Sequence, residues 1–326
     1  MEKSKQNAEL KPYAINPTPD APWFSMTRFS PITDDFYFLD DYLVILSPFD
    51  VIWHSPLLAR SLKSLDEHIK YIQDNNIEKA YIVAEDISFL RKCPSLKSLR
   101  IIPAYSADHF DYSPLYDMPN LEELYCQTIY GAKDERKTSI DYSLFSRLHK
   151  LTVCGAKGHC NLESLNGLRD LHLEQYNPTS KSLVDFDFTE LRELSICQVP
   201  VHSLDGIQNA HHLQKVELSY CRSLENLAAL ANVGDTLTSL EIQACGRIKD
   251  FSWLNNLSNL ENLVLFGSNT LPNLNFLYTM PKLKSFRFTM NILDGDLGLC
   301  RHIPYVYCRN RKHFNLKNED LPKGNQ

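Results

Sequence analysis

Several features common in enzymes and exported proteins are scarce or missing in this chain. Only 11 glycines occur in 326 residues, and none lies in a loop built to cradle phosphate. The first residues, MEKSKQNAELKPYAINP, contain no apolar stretch of the kind that directs secretion. No window approaches the ~20 consecutive apolar residues of a membrane span. Basic residues are not in excess: 34 Lys and Arg face 40 Asp and Glu, a formal charge of -6. That balance speaks against a nucleic-acid backbone as the ligand, which would favour a basic stripe. Nine cysteines are an odd number, and their spacings do not repeat as a disulfide framework. These absences predict a cytosolic (cytoplasmic) protein with reduced thiols, bound to neither membrane nor nucleic acid.

Catalytic and metal-binding arrangements are equally thin. Cys154-x4-His159-Cys160 is the nearest approach to a metal cluster, with His149 its only close addition. A structural zinc site needs four ligands, commonly as two half-sites, and the second pair is missing. The expectation is therefore cysteines acting as small hydrophobes. His211-His212 precedes Leu213 at a loop position. No serine or cysteine lies in a nucleophile elbow or a comparable local motif. The sequence predicts no enzyme, no metal and no cofactor.

What is present is a repeat. The pattern apolar-x-x-apolar-x-apolar returns as Leu213-Val216-Leu218, Leu237-Leu240-Ile242, Leu260-Leu263-Leu265 and Leu283-Phe286-Phe288, with steps of 24, 23 and 23 residues. Upstream lie Ile77-Ala80-Ile82, Leu96-Leu99-Ile101, Leu121-Leu124-Cys126, Leu148-Leu151-Val153, Leu168-Leu171-Leu173 and Leu191-Leu194-Ile196; downstream comes Ile303-Val306-Cys308. That gives about eleven repeats over residues 77–308, with steps of 19 to 27 residues. Strand alternation points the second and third apolar residues of each triplet inward and the residues between them outward. Stacked strands then form a parallel sheet, and the return segments, carrying anchors such as Ile248, Phe251, Leu254 and Leu257, suit 3₁₀ or short helical turns. Because returns are bulkier than strands, the array curves with the sheet on its concave face. Three positions after the last strand apolar, such repeats favour Asn or Cys, which satisfy loop backbone groups. Cys221, Cys245, Ser268 and Asn291 fit; Ala104, Ile129, Ala156, Tyr176 and Val199 do not, so a less regular N-terminal half is expected.

Outside the repeats, residues 1–20 are polar and proline-bearing and read as a disordered tail. Residues 21–76 read as an N-terminal cap. In it, a hairpin turns at Asp40-Asp41, and a helix starts at Ser55-Pro56 with Leu58, Leu62, Leu65, Ile69 and Ile72 on one stripe. Residues 309–326 form a C-terminal tail or cap.

Residues 77–308 resemble the leucine-rich repeat superfamily, and LENLVLFGSNTLPNLNFLYTMPKLKSFRF is similar to its short-repeat, internalin-like branch. The fold class this implies is α/β, a leucine-rich repeat solenoid with a parallel sheet inside the curve. HFNLKNEDLP is similar to the terminal segment of small bacterial relatives, some of them antitoxin or immunity components. The resemblance implies a protein that binds other proteins, as an inhibitor or as an adaptor.

The candidate binding residues are those expected to face outward on the sheet: Tyr81, Arg100, Glu123, Tyr125, Asp170, His172, Glu193, Glu217, Glu241, Phe266, Arg287 and Tyr307, with Val264 beside them. The middle is acidic, around Asp170, Glu174, Glu193, Glu217 and Glu241, which predicts a basic protein partner held by a monomer. Tyrosine and arginine, enriched at interface hot spots, flank both ends. The insertions at 102–120 and 130–141 carry Tyr105, His109, Phe110, Asp111, Tyr112 and Tyr116, and the charged run 131–137. Two readings of them stand side by side: a second binding site, or loops packed on their own aromatics.

Overall fold

The computed structural model describes residues 32–46, 60–104, 110–127, 139–155 and 157–324. One thirteen-stranded sheet runs through them. Its strands in chain order are β1 (Phe38–Leu39), β2 (Tyr42–Leu46), β3 (Lys79–Ala84), β4 (Ser98–Pro103), β5 (Glu123–Gln127), β6 (Lys150–Cys154) and β7 (Asp170–Glu174). They continue as β8 (Glu193–Cys197), β9 (Lys215–Ser219), β10 (Ser239–Gln243), β11 (Asn262–Phe266), β12 (Ser285–Phe288) and β13 (Tyr305–Cys308). Neighbours in sequence are neighbours in space, and every pairing is parallel except the hairpin β1–β2. The sheet stays open, with β1 and β13 at its edges.

The triplet rule fixes this register. Its inward positions are Ala80 and Ile82 in β3, Leu194 and Ile196 in β8, Leu240 and Ile242 in β10, and their counterparts through Val306 and Cys308; all are 2 % exposed or less. Each aligns with its counterpart one strand away, as Leu194 does with Leu171 and Val216. The result is one continuous core, in which each fully buried aliphatic side chain contributes about 1.5–3 kcal/mol.

Return segments are 3₁₀ turns such as Ser88–Lys92, Ser252–Asn256 and Asn275–Thr279. Most begin in one way: an Asp or Asn side chain accepts the backbone N–H two residues on, as Asp86 does from Ser88, Asp111 from Ser113 and Asp250 from Ser252. This turn satisfies a donor that a short 3₁₀ segment leaves open.

The helix differs from its sequence expectation. It is α1 (Leu65–Asn75), opened by a capping box in which Ser64 and Glu67 satisfy each other's backbone N–H groups. Arg60–Ser61 is extended instead, paired in parallel with Ile32–Thr33. The reciprocal cap sets this start, and the extended pair interrupts the expected stripe; Ser55, Pro56 and Leu58 lie outside the described residues. Leu62 and Leu65 are consequently exposed, while His68, Ile69 and Ile72 are buried.

At the other end, residues 322–324 run antiparallel along β13. Val306 N–H donates to the Pro322 carbonyl and Gly324 N–H to the Pro304 carbonyl, each at 2.9 Å. The C-terminal segment thus covers an edge that would otherwise invite pairing with another chain. It leaves the sheet's outer face uncovered.

Candidate protein-binding face

The outward residues form rows because the strands are in register. One row runs Tyr81, Arg100, Tyr125, Thr152, His172, Ser195, Glu217, Glu241, Val264, Arg287 and Tyr307, each paired with the next. Beside it runs a second row containing Glu123, Lys150, Asp170, Glu193 and Lys215. Phe266 lies in a third with Glu174, Cys197, Ser219 and Gln243. All twelve candidate residues therefore share one face. Tyr307 is 40 % exposed, and Phe266 meets it edge-on at 6.5 Å between ring centres. Val264 is a correction: at 4 % exposure it is buried between its neighbours and offers no surface.

The acidic centre is interleaved with lysines, a feature the single row conceals. Lys150 lies 3.7 Å from Asp170, and Lys215 lies 2.8 Å from Glu217. All four side chains are more than a third exposed, so these pairs contribute little to stability. Five carboxylates still face two lysines there. Burial holds the His172 imidazole below its usual pKa against the pull of Glu174 and Glu217, so it adds no positive charge at neutral pH. A shallow hollow of about 170 Å³ lies among Lys150, Asp170, His172, Glu193, Lys215 and Glu217.

The N-terminal end is built differently, around a residue the sequence reading left in the cap. Because β2 joins the sheet in parallel, Tyr42 lies on the same face as the repeats. Its hydroxyl is 2.7 Å from Ser98 Oγ, which donates to Glu123 Oε2 at 2.9 Å. The Arg100 guanidinium stacks on the Tyr42 ring at 4.1 Å. With Tyr81 and Tyr125 they line a depression of about 390 Å³. The short, unbroken apolar run Tyr42-Leu-Val-Ile-Leu46 was the available signal for this strand.

Cys154, His159 and Cys160 go separate ways. Cys154 Sγ contacts Tyr125 Oη at 3.6 Å and Glu174 Oε2 at 3.4 Å on the open face. Burial pushes its thiol up to about 12, which keeps the sulfur protonated. His159 Nδ1 lies 3.0 Å from Tyr142 Oη, and Cys160 Sγ donates to the Ile140 carbonyl. Among the described residues no group of three or more His, Cys, Asp or Glu side chains is placed to hold a metal. His211 and His212 are exposed in the turn before β9. No helix among the described residues is long and apolar enough to cross a membrane.

Of the inserted loops, residues 105–109 and 128–138, including Tyr105, His109 and the charged run, lie outside the described residues. Phe110 and Tyr112 are buried, stacked edge-on at 4.8 Å, and Tyr112 donates to the Gln127 carbonyl. These two aromatics belong to the core and not to a second surface.

No family model matches the sequence, and no curated protein matches it. Among solved structures, the chain is similar to an internalin (inlF) from Listeria monocytogenes, at 18% identity and a TM-score of 0.49, over 73% of this chain and 69% of that one. It is also similar to the functional domain of InlJ from Listeria monocytogenes, which includes a cysteine ladder, at 14% identity and a TM-score of 0.41, over 76% and 65%. The PEPR1-AtPEP1 complex gives 17% identity and a TM-score of 0.44, over 73% of this chain and 36% of that one. The fold rests on the chain's own repeat unit: a strand with two inward apolar residues, then one return. By that unit it is a leucine-rich repeat solenoid.

Proposed function

We propose that the protein binds another protein across the open face of its sheet, through the acidic centre formed by Asp170, Glu174, Glu193, Glu217 and Glu241. The observation that carries this reading is the row of outward side chains, in register over eleven strands, broken at the surface by Val264 and uncovered by the C-terminal segment. A preorganised surface of this kind orders little on binding, so more of the contact energy appears as affinity. Five carboxylates against two lysines favour a basic partner and fast, salt-sensitive association. The biological form we favour is inhibition: a partner seated on a rigid curved face is sterically blocked. A cytosolic setting belongs to the same proposal and is supported by nine cysteines that are all free.

The test is affinity capture from cells, followed by mass spectrometry, with the wild type and the triple variant Glu193→Lys, Glu217→Lys, Glu241→Lys. Reversal at three central positions is expected to abolish capture of the principal partner, and raising salt to weaken the wild-type complex. Undiminished capture by the triple variant sinks the acidic-face reading. Inhibition is then tested by adding the purified protein to the captured partner's own activity.

A further inference from the structure

The open face carries two signs of charge in two places, and the second place is unused by the reading above. Arg100 is half-buried between Tyr81 and Tyr125 in adjacent strands, with its guanidinium against the Tyr42 ring. Among the described residues it makes no hydrogen bond and no ion pair. Its near neighbours are already engaged: Glu123 accepts from Ser98, and Asp41 is paired with Lys79 at 2.5 Å. Tyr42 is itself pinned by Ser98, so the guanidinium is held from below while its N–H fork meets no acceptor among the described residues. A planar fork fixed by stacking suits the two oxygens of a carboxylate. The 390 Å³ depression leaves room for that group, and the Tyr81 and Tyr125 rings offer apolar walls to the carbon chain bearing it.

We infer that Arg100, framed by Tyr42, Tyr81 and Tyr125, is a carboxylate-binding subsite. Its occupant is an aspartate or glutamate side chain of the same partner whose basic residues lie on the acidic centre. This deepens the proposed function and rests on it. The sheet supplies a ruler. Arg100 is on β4, and Glu193, Glu217 and Glu241 are on β8, β9 and β10, four to six strands away. At ~4.8 Å per strand the separation is about 19–29 Å, which an extended segment spans in roughly six to nine residues. The partner is thus dipolar, with its acidic and basic groups that far apart.

The experiment uses the full chain and a set of labelled synthetic peptides, read by fluorescence anisotropy at low salt. One carries three glutamates alternating with glycine, one carries three lysines alternating with glycine, and the third joins both blocks through seven Ser and Gly residues, made in both orders. All are acetylated and amidated, so no terminal carboxylate competes. A fourth peptide, with a free C-terminal carboxylate and no glutamate, separates side-chain from terminal recognition. Binding of the glutamate peptide is expected to fall about tenfold or more in Arg100→Gln and to stay unchanged in the triple variant Glu193→Gln, Glu217→Gln, Glu241→Gln. Arg100→Lys keeps the charge and stem but loses the fork, and is expected to recover only part of the binding. One order of the joined peptide is expected to bind at least about tenfold tighter than either block. Glutamate-peptide binding that ignores Arg100→Gln, full recovery in Arg100→Lys, preference for the free terminus, or no gain from joining would each overturn the subsite. Failure of the acidic-centre reading looks different: the lysine peptide then binds the triple variant as well as the wild type.

Discussion

The two halves of the solenoid fill the same space by different means. From β8 to β12 the third position of the triplet holds Ile196, Leu218, Ile242, Leu265 and Phe288, large enough to meet the return segments unaided. From β3 to β6 it holds Ile82, Ile101, Cys126 and Val153, and at Cys126 the strand side chain is too short. There the core is completed from behind by Tyr142, fully buried, its hydroxyl 2.9 Å from Cys126 Sγ and 3.0 Å from His159 Nδ1. Tyr112, also buried, reaches the Gln127 carbonyl nearby. An aromatic that substitutes for an aliphatic brings a polar tip that must find a partner inside. The regular half is held by apolar stacking; the irregular half is held partly by a buried polar network.

That difference is open to direct attack. In the regular half Leu218→Ala leaves a cavity between two fixed neighbours, Ile196 and Ile242, and is expected to cost about 2–5 kcal/mol. At the equivalent position of β5, Cys126→Ala removes one sulfur beside a movable tyrosine, and is expected to cost about 1 kcal/mol. Urea unfolding of both variants, with hydrogen exchange to localise the loss, checks the contrast. Equal losses would mean that the halves are packed alike.

Acid should separate them next. His159 has Nε2 enclosed without a hydrogen-bond partner among the described residues, and burial drives its pKa from the ordinary 6.5 down to about 4. The unfolded chain therefore binds this proton more readily than the folded one. The neutral imidazole's stabilisation is complete above about pH 6.5 and is lost as pH falls toward 4, up to about 3 kcal/mol in all. His68, buried under the cap and also shifted down by burial, titrates in the same sense, so the measurement is a difference. Wild type and His159→Gln are unfolded in urea at pH 7.5 and pH 4.5. The wild type is expected to lose more stability on acidification, with early loss of exchange protection in β5–β7 and late loss in β9–β12. Parallel losses in the two proteins would remove His159 from the network.

How much of this was legible beforehand follows from the same contrast. Inward strand positions were readable because alternation and a fixed period determine them locally; Leu194, Val216 and Leu240 lie where the triplet puts them. The face residues were readable for the same reason, being what alternation leaves over. Tyr42 was missed because its strand belongs to the sheet only through pairing with β3, a contact 37 residues of chain away from Leu43 to Ala80. The pairing of Lys150 with Asp170, across neighbouring strands of one row, and of Lys215 with Glu217, two residues apart on one strand, was missed because alternation gives the face of a side chain and not its reach. Val264 was misplaced because exposure depends on neighbours across three strands. The helix start was misplaced because a tertiary pairing at Arg60–Ser61 interrupts the expected stripe and the reciprocal cap at Ser64 sets the start.

The polar ladder of the regular half shows the same shift between spelling and packing. Counting three positions on from Leu265 gives Ser268, yet Ser268 is exposed and Asn269 is the buried residue. Its Nδ2 donates to the Cys245 carbonyl at 3.2 Å and the Ile248 carbonyl at 2.7 Å. Asn269→Ala strands two buried acceptors and is expected to cost about 1–3 kcal/mol. Cys245→Ala, which removes weak thiol contacts to the Leu218 and Gln243 carbonyls and to the Cys221 thiol, is expected to cost less. The reverse ranking in urea unfolding would show that volume, and not backbone satisfaction, sets this column.

The smallest expected effect probes the turn that leaves the strands. Gln175, Gln198, Tyr220 and Ala244 follow four consecutive strands with φ of 55°, 57°, 55° and 53°, in the left-handed region. Each N–H donates to a carbonyl of the next repeat: Gln175 to Cys197, Gln198 to Ser219, Tyr220 to Gln243 and Ala244 to Phe266. The column is therefore held by inter-repeat hydrogen bonds against a local cost of about 1–2 kcal/mol per residue. Ala244 has no side-chain hydrogen bond to lose, so Ala244→Gly removes the clash and keeps the bond. Against that stands the greater chain entropy that glycine gives up on folding, about 0.5–1 kcal/mol. The net expectation is a gain of about 0.5–1 kcal/mol, read as a raised urea midpoint. The same substitution at Ala104, in the irregular half and outside the left-handed set, offers no strain to relieve and is expected to destabilise. A gain at both sites, or at neither, would mean that the left-handed column stores no strain.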